Sequence, residues 1–148
     1  MRPLLLDTNV ISELRKGKGR IDANVYQWAQ KLDIESCYLS VITLFELERG
    51  ILLLEKRDAR QAAGLSRWLE EIREREFKGR ILPLDVNVAG KAALIQVTNQ
   101  KSLPDAFVAA TALEHNLIVA TRNTRDFLQS KVSVVNPWEP GAPILEML

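Results

Sequence analysis

The sequence predicts an α/β protein: a three-layer α/β/α sandwich around a central, mainly parallel sheet. Three observations lead there: short all-apolar runs without alternation, helix-period segments between them, and no repeat, low-complexity block or linker dividing the 148 residues. An apolar run lacking period-two alternation suits a strand covered on both faces, and strands separated by helices imply right-handed crossovers. A chain of this length with 47% hydrophobic residues buries a core unaided, so one domain over residues 1–148 is expected.

Pro3-Leu4-Leu5-Leu6 is the first such run and reads as the first strand. Thr8 is placed to cap the next helix, whose apolar side is Val10, Ile11 and Leu14, and Gly17 and Gly19 break it within a basic loop. Val25, Trp28, Ala29 and Leu32 trace a second helix, Cys37 to Val41 a second strand, and Leu44, Leu47, Ile51 and Leu54 a third helix that carries Glu46. Residues 58–77 set Ala62, Leu65, Leu69 and Ile72 among Arg and Glu, a long amphipathic helix with charges spaced for i,i+4 pairing. Arg80 to Leu84 gives a brief strand, and Val88, Ala92 and Ile95 mark a helix that stops at the Lys101-Ser102 break. Ser102-Leu103-Pro104-Asp105 then opens another helix with an N-cap Ser, an early Pro and an acid three residues after the cap. Leu117 to Thr121 is a further buried strand and Val132 to Val135 the last. The Pro-rich tail from Pro137 to Pro143 is expected to wrap or fray.

Bulk properties exclude more than they assign. A charged fraction of 26% and a net charge of +1 give no global sign for or against nucleic acid. Cys37 is the single cysteine, so no internal disulfide forms, and its strand context predicts a buried structural thiol suited to a reducing cytoplasm. Asp7 interrupts the opening leucines, and no run approaches the roughly 18 apolar residues of a span. The expectation is therefore a cytoplasmic protein with no signal peptide and no membrane partner. His115 is the single histidine, near a helix end, which argues against zinc and against His-dependent nuclease chemistry and fits a helix C-terminal role. No Gly-rich phosphate loop and no nucleophile elbow is present.

The acids carry the chemistry. In open parallel sheets ligands bind beyond the carboxyl ends of the strands, where strand order reverses. Asp7 and the Thr121 to Asp126 loop follow strands directly, Glu46 lies about one turn into a helix after a strand, and Asp105 begins a helix, so four carboxylates can meet. Like charges in a partly dry cleft repel unless protons or a cation offset them, and oxygen ligands without His or Cys suit Mg²⁺ or Mn²⁺. The implied chemistry is metal-assisted hydrolysis of a phosphodiester. Each acid also has a plainer explanation. Asp7 and Asp126 could be helix caps, Glu46 a solvated helix residue, and Asp105 the partner of Ser102 in a capping arrangement worth about 1 kcal/mol. Basic residues beside these acids could steer phosphates: Arg15, Lys16, Lys18 and Arg20 in the first loop, and Arg49, Arg122 and Arg125 elsewhere. Two other readings compete, a receiver-like signalling domain and a non-catalytic metal-binding interaction module whose helix 58–77 serves assembly.

The strings Leu5-Leu6-Asp7-Thr8-Asn9-Val10-Ile11-Ser12-Glu13, Leu39-Ser40-Val41-Ile42-Thr43-Leu44-Phe45-Glu46-Leu47-Glu48-Arg49-Gly50, Pro104-Asp105-Ala106-Phe107-Val108-Ala109-Ala110-Thr111-Ala112 and Val119-Ala120-Thr121-Arg122-Asn123-Thr124-Arg125-Asp126-Phe127 occur in that order, followed by Asn136-Pro137-Trp138. Together they resemble the PIN-domain family, and more narrowly its VapC and FitB type of bacterial toxin. The resemblance implies a Mg²⁺- or Mn²⁺-dependent endoribonuclease of a type II toxin–antitoxin system. By position, Asp7, Glu46 and Asp105 are then the metal-binding acids, Asp126 joins them as a catalytic acid, and Thr8, Asn9, Thr121 and Asn123 support them. Many relatives place an acid where this chain has Asn123 and a second acid at the position of Asp126. Whether Asn123 reaches a bound water, Asp126 supplies the charge, or both act indirectly stays open. The resemblance also implies a homodimer, a cognate antitoxin that inserts a segment at the acidic groove, and assembly with that antitoxin on operator DNA.

Overall fold

The three leucines of the first strand divide their side chains between two apolar layers, and the rest of the fold follows from that division. In the computed structural model, which describes residues 2–146, Leu4 and Leu6 join one buried cluster while Leu5 joins the other. A strand covered on both faces needs helices on both sides. The first layer is supplied by α1 (Thr8–Leu14), α2 (Ala23–Gln30), α3 (Val41–Glu55) and α4 (Ala59–Glu71) through Val10, Val25's neighbour Trp28, Ile51 and Leu69. The second is supplied by α5 (Val86–Asn99), α6 (Leu103–His115) and the short α7 (Arg125–Leu128) through Val88, Ala109 and Phe127. The three-layer α/β/α sandwich expected from the sequence is the observed architecture.

Between the layers, β1 (Leu4–Leu6), β2 (Cys37–Ser40), β3 (Ile81–Leu82), β4 (Ile118–Ala120), β5 (Val134–Val135) and β6 (Ile144–Leu145) form one sheet in the order β3-β2-β1-β4-β5-β6. All neighbours pair in parallel except β5 and β6. The chain leaves β1 toward β2 and β3, then crosses to the other side of β1 for β4. That reversal sends the helices of the two halves to opposite faces. The carboxyl ends of β1 and β4, on either side of that reversal, are the place where ligands sit in folds of this kind.

Local chemistry sets the helix ends. Asp22, Ser40, Asp58, Asp85 and Ser102 each accept a backbone N–H of the helix they precede, at 2.8–3.4 Å. The cap of α1 is Asp7 and not Thr8: Asp7 has extended backbone and accepts the Thr8 N–H at 2.9 Å. Thr8 is already helical, and its hydroxyl is engaged by Glu46 and Thr43 of α3. The long helix expected over 58–77 runs as α4 and then widens into a π turn, Ile72–Glu76, before Phe77. Cys37 is buried, and burial pushes its thiol up to about 11. The sheet does not end at Val135 as the sequence suggested. Asn136 accepts the Trp138 N–H at 2.9 Å, the chain turns through Gly141 and Ala142 at positive φ, and the tail returns as the antiparallel edge strand β6.

Helix α6 stops at Asn116, whose φ of 54° lies in the left-handed region that Cβ disfavours. Asn116→Gly is therefore expected to be neutral or stabilising, and Asn116→Ala to destabilise by about 1 kcal/mol in urea unfolding. Equal midpoints for the two variants would contradict this.

Candidate active site

Asp7 leaves β1 at the centre of the sheet with its N–H bonded to the Ala120 carbonyl at 2.9 Å, and only 8% of the residue is exposed. A carboxylate so placed needs donors. Oδ1 accepts the Thr8 N–H, and Oδ2 accepts the Thr121 hydroxyl at 2.8 Å and the Asn9 amide at 3.5 Å. Thr121 is fully buried, and its oxygen also accepts Asn9 Nδ2 at 3.4 Å and the Asn123 N–H at 3.0 Å. One donated and two accepted bonds exhaust a hydroxyl. Asn9 Oδ1 in turn accepts the Arg122 N–H at 3.2 Å, so the loop after β4 is tied to the carboxylate that ends β1.

Glu46 reaches the same group of residues from α3. Its Oε1 accepts the Thr8 hydroxyl at 2.6 Å, and that hydroxyl lies 3.2 Å from the buried Thr43 hydroxyl. Asp105 stands in the first turn of α6, where its N–H donates to Ser102 Oγ at 3.4 Å, so the capping arrangement read from the sequence is present. Asp126, partly exposed in α7, donates its N–H to the Asn123 carbonyl at 3.1 Å, while Asn123 itself is exposed.

These acids act on one another's titration. Desolvation pushes Asp7 from an ordinary 3.8 up to about 6, the charges of Asp105 and Glu46 add to the rise, and the bonds from Thr121 and Thr8 oppose it. Burial also raises Asp105, reinforced by Asp126 and Glu46 and opposed by Ser102 and Lys101. None of the four carboxylates enters an ion pair among the described residues. They share a field without closing into a finished cage: among the described residues no three acids, histidines or cysteines stand at metal-ligating separations. The donors are all oxygens, the set that suits Mg²⁺ or Mn²⁺ and not zinc.

The basic residues divide by what they touch. Arg15 lies over the Trp68 ring at 5.9 Å, and Lys16 pairs with Glu13 at 2.8 Å, so both are engaged within the protein. Lys18 and Arg20 are exposed without an ion pair among the described residues, as are Arg49 and Arg125. Arg122 lies over the Trp138 ring at 5.0 Å. His115 occupies the last turn of α6, beside Pro3 at the opposite end of β1 from Asp7.

Glu13 is the residue that reading the sequence passed over. It is largely covered and accepts both the Lys16 ammonium and the Asp22 N–H at 2.8 Å, joining the end of α1 to the start of α2 around the basic loop. Burial alone would raise its carboxyl, but those bonds outweigh it and hold it below the usual range. Its position three residues after Val10, on the covered side of α1, was the available signal.

The sign of the Asp7 shift fixes a stability effect. A folded value of about 6 above an unfolded 3.8 means that, without metal, stability present at pH 4 is lost as pH rises through 6. Asp7→Asn removes that cost while keeping a helix cap. In chelator it should raise stability at pH 8 by up to about 3 kcal/mol, with the gain vanishing by pH 4. Melting curves at the two pH values check this, and an equal or lower melting point for the variant at pH 8 would contradict it.

Comparison with known proteins bears on the family and the fold. A family model described as the PIN domain matches residues 4–133. The chain is similar to Toxin FitB of Neisseria gonorrhoeae, 41% identical over 140 residues that cover 91% of this chain and 98% of that protein. It is 37% identical over 148 residues to VapC ribonuclease Y4jK of Sinorhizobium fredii, covering 93% and 99% of the two chains. Among solved structures, FitAB bound to a DNA fragment aligns with a TM-score of 0.80 and 38% identity, over 92% of this chain and 96% of that one. The receiver-like alternative gains nothing here, since β2 ends on Ser40 without an acid. Matched along nearly its whole length by the family model and by relatives of the same size, the chain belongs to the PIN-domain family.

Proposed function

We propose that this protein is a divalent-metal-dependent endoribonuclease and the toxin component of a type II toxin–antitoxin system. The observation that carries the reading is the buried Asp7 carboxylate, raised to about 6 among Glu46 and Asp105 and balanced by no cation of the protein among the described residues. A site that penalises its own negative charge favours a hard divalent ion over an empty state. Asp7, Glu46 and Asp105 would hold Mg²⁺ or Mn²⁺, which when bound supplies activation of a water and stabilisation of the charge that develops on the phosphate.

The chain's own residues then act by orientation. Thr121 and Asn9 fix one oxygen of Asp7, and the Thr8 N–H fixes the other. The Thr8 hydroxyl aims Glu46. Asp126 adds negative charge beside Asp105, and Asn123, exposed at the head of the same loop, offers an amide to substrate or water. Relatives named as a VapC ribonuclease and as Toxin FitB support RNA as substrate and a toxin role. FitAB bound to DNA supports an antitoxin partner and assembly of the pair on operator DNA. A homodimer completes the proposal. No helix of the described residues is long and apolar enough to cross a membrane.

Asp7→Asn and Asp105→Asn should each abolish cleavage of a single-stranded RNA while circular dichroism shows the fold intact. In parallel, Mg²⁺ or Mn²⁺ at about 100 times its dissociation constant should stabilise the wild type by about 2.7 kcal/mol and should not stabilise Asp105→Asn. Wild-type cleavage by both variants would remove these acids from the mechanism. Ion-induced stabilisation with every RNA left intact would favour a non-catalytic metal-binding module.

A further inference from the structure

Arg122 and Trp138 form a feature that the acidic site does not account for. The Arg122 backbone is fixed by the bond from its N–H to Asn9 Oδ1, two residues from Asp7, and it directly follows the Thr121 that holds Asp7. Its guanidinium lies over the Trp138 ring at 5.0 Å. The backbone of Trp138 is fixed, since its carbonyl accepts Asn24 Nδ2 at 2.8 Å and its backbone N–H donates to Asn136 Oδ1 at 2.9 Å, and its side chain packs against the first apolar layer. Among the described residues Arg122 makes no ion pair, and its guanidinium donates no hydrogen bond. Glu13 feels the Arg122 charge, but its oxygens are occupied by Lys16 and the Asp22 N–H.

A guanidinium held over an indole by cation–π attraction loses rotamer freedom while keeping N–H donors for a phosphate, which it can meet with two parallel bonds. Resting on the reading of the site as a ribonuclease, we infer that Arg122 is the clamp for an RNA phosphate adjacent to the scissile one. Trp138, remote in sequence and contributed by the tail, is its positioning residue. Lys18 and Arg20 are exposed in the loop between α1 and α2.

The test is binding of a labelled single-stranded RNA oligonucleotide to the full chain without divalent ion, over a salt series, with cleavage in Mg²⁺ measured alongside. Arg122→Ala should weaken binding about 10-fold and reduce the slope of log affinity against log salt by about 0.7, the value for one phosphate on a single strand. Trp138→Leu should weaken binding several-fold with the slope kept, because the charge remains and only its placement is lost. Trp138→Phe should restore most of the affinity. The double variant should bind no worse than Arg122→Ala alone. Should Trp138→Leu fail to fold, Trp138→Met takes its place in the cycle with Arg122→Ala. Unchanged affinity and slope in Arg122→Ala overturns the clamp, and an equal Trp138 penalty with and without Arg122 makes Trp138 merely structural. Wild-type protein that cleaves RNA with no dependence on Arg122 sinks the clamp alone. Protein that binds through Arg122 yet never cleaves sinks the nuclease reading and leaves the clamp standing, and protein that neither binds nor cleaves RNA sinks both.

Discussion

A carboxylate placed where two parallel strands end side by side is the constraint on which the rest of this structure depends. Asp7 can be buried there because its two oxygens receive three donors: the first amide of α1, the Thr121 hydroxyl and the Asn9 amide. Two belong to the residues that directly follow Asp7 in the chain, and the third, Thr121, ends β4, which the strand order sets beside β1. The bonds orient the group without fully offsetting its desolvation, and the carboxyl stays well above its ordinary value. A fold concerned with stability alone would place a neutral amide at this position. The retained charge is the physical reason for reading the crevice as a site.

The same economy runs through the neighbouring residues. Thr8 is helical, so its hydroxyl is available to Glu46 on α3, and one turn of α1 thereby connects two acids 39 residues apart in sequence. Ser102 holds the first turn of α6 and so sets where Asp105 stands. Thr121 spends its whole bonding capacity on Asp7, Asn9 and Asn123, so the loop that carries Arg122 and leads to Asp126 is registered against the first strand. Small residues on α6, Ala106, Ala109 and Ala110, are fully buried and let that helix lie close to the sheet.

Much of this was legible in the residues. Apolar runs without alternation announced β1 and β4, because a strand covered on both faces has no polar side to display. Asp7 was visible as an acid ending such a run, and Ser102 with Pro104 and Asp105 as a helix start. What escaped depends on contacts between distant segments. The role of Thr8 is set by Glu46, and no local pattern distinguishes a hydroxyl that caps its own helix from one that reaches the next. Strand β6 is two exposed residues at an edge, too short for a period to register. The role of Glu13 depends on Lys16 and on the Asp22 N–H at the start of the next helix, and the Arg122 and Trp138 pair exists only because the tail folds back. The convergence of the four acids was readable as a possibility; the upward shifts of Asp7 and Asp105 required the fold.

The central claim is that Asp7, Glu46 and Asp105 tolerate one another because a divalent cation joins them. Anomalous diffraction from crystals of the full chain soaked in Mn²⁺ tests it most directly. The account expects a manganese peak with oxygen ligands from these three side chains, the Thr121 and Thr8 bonds to Asp7 still in place. Three carboxylates pointing apart in such a crystal, with manganese bound elsewhere or nowhere, would contradict it.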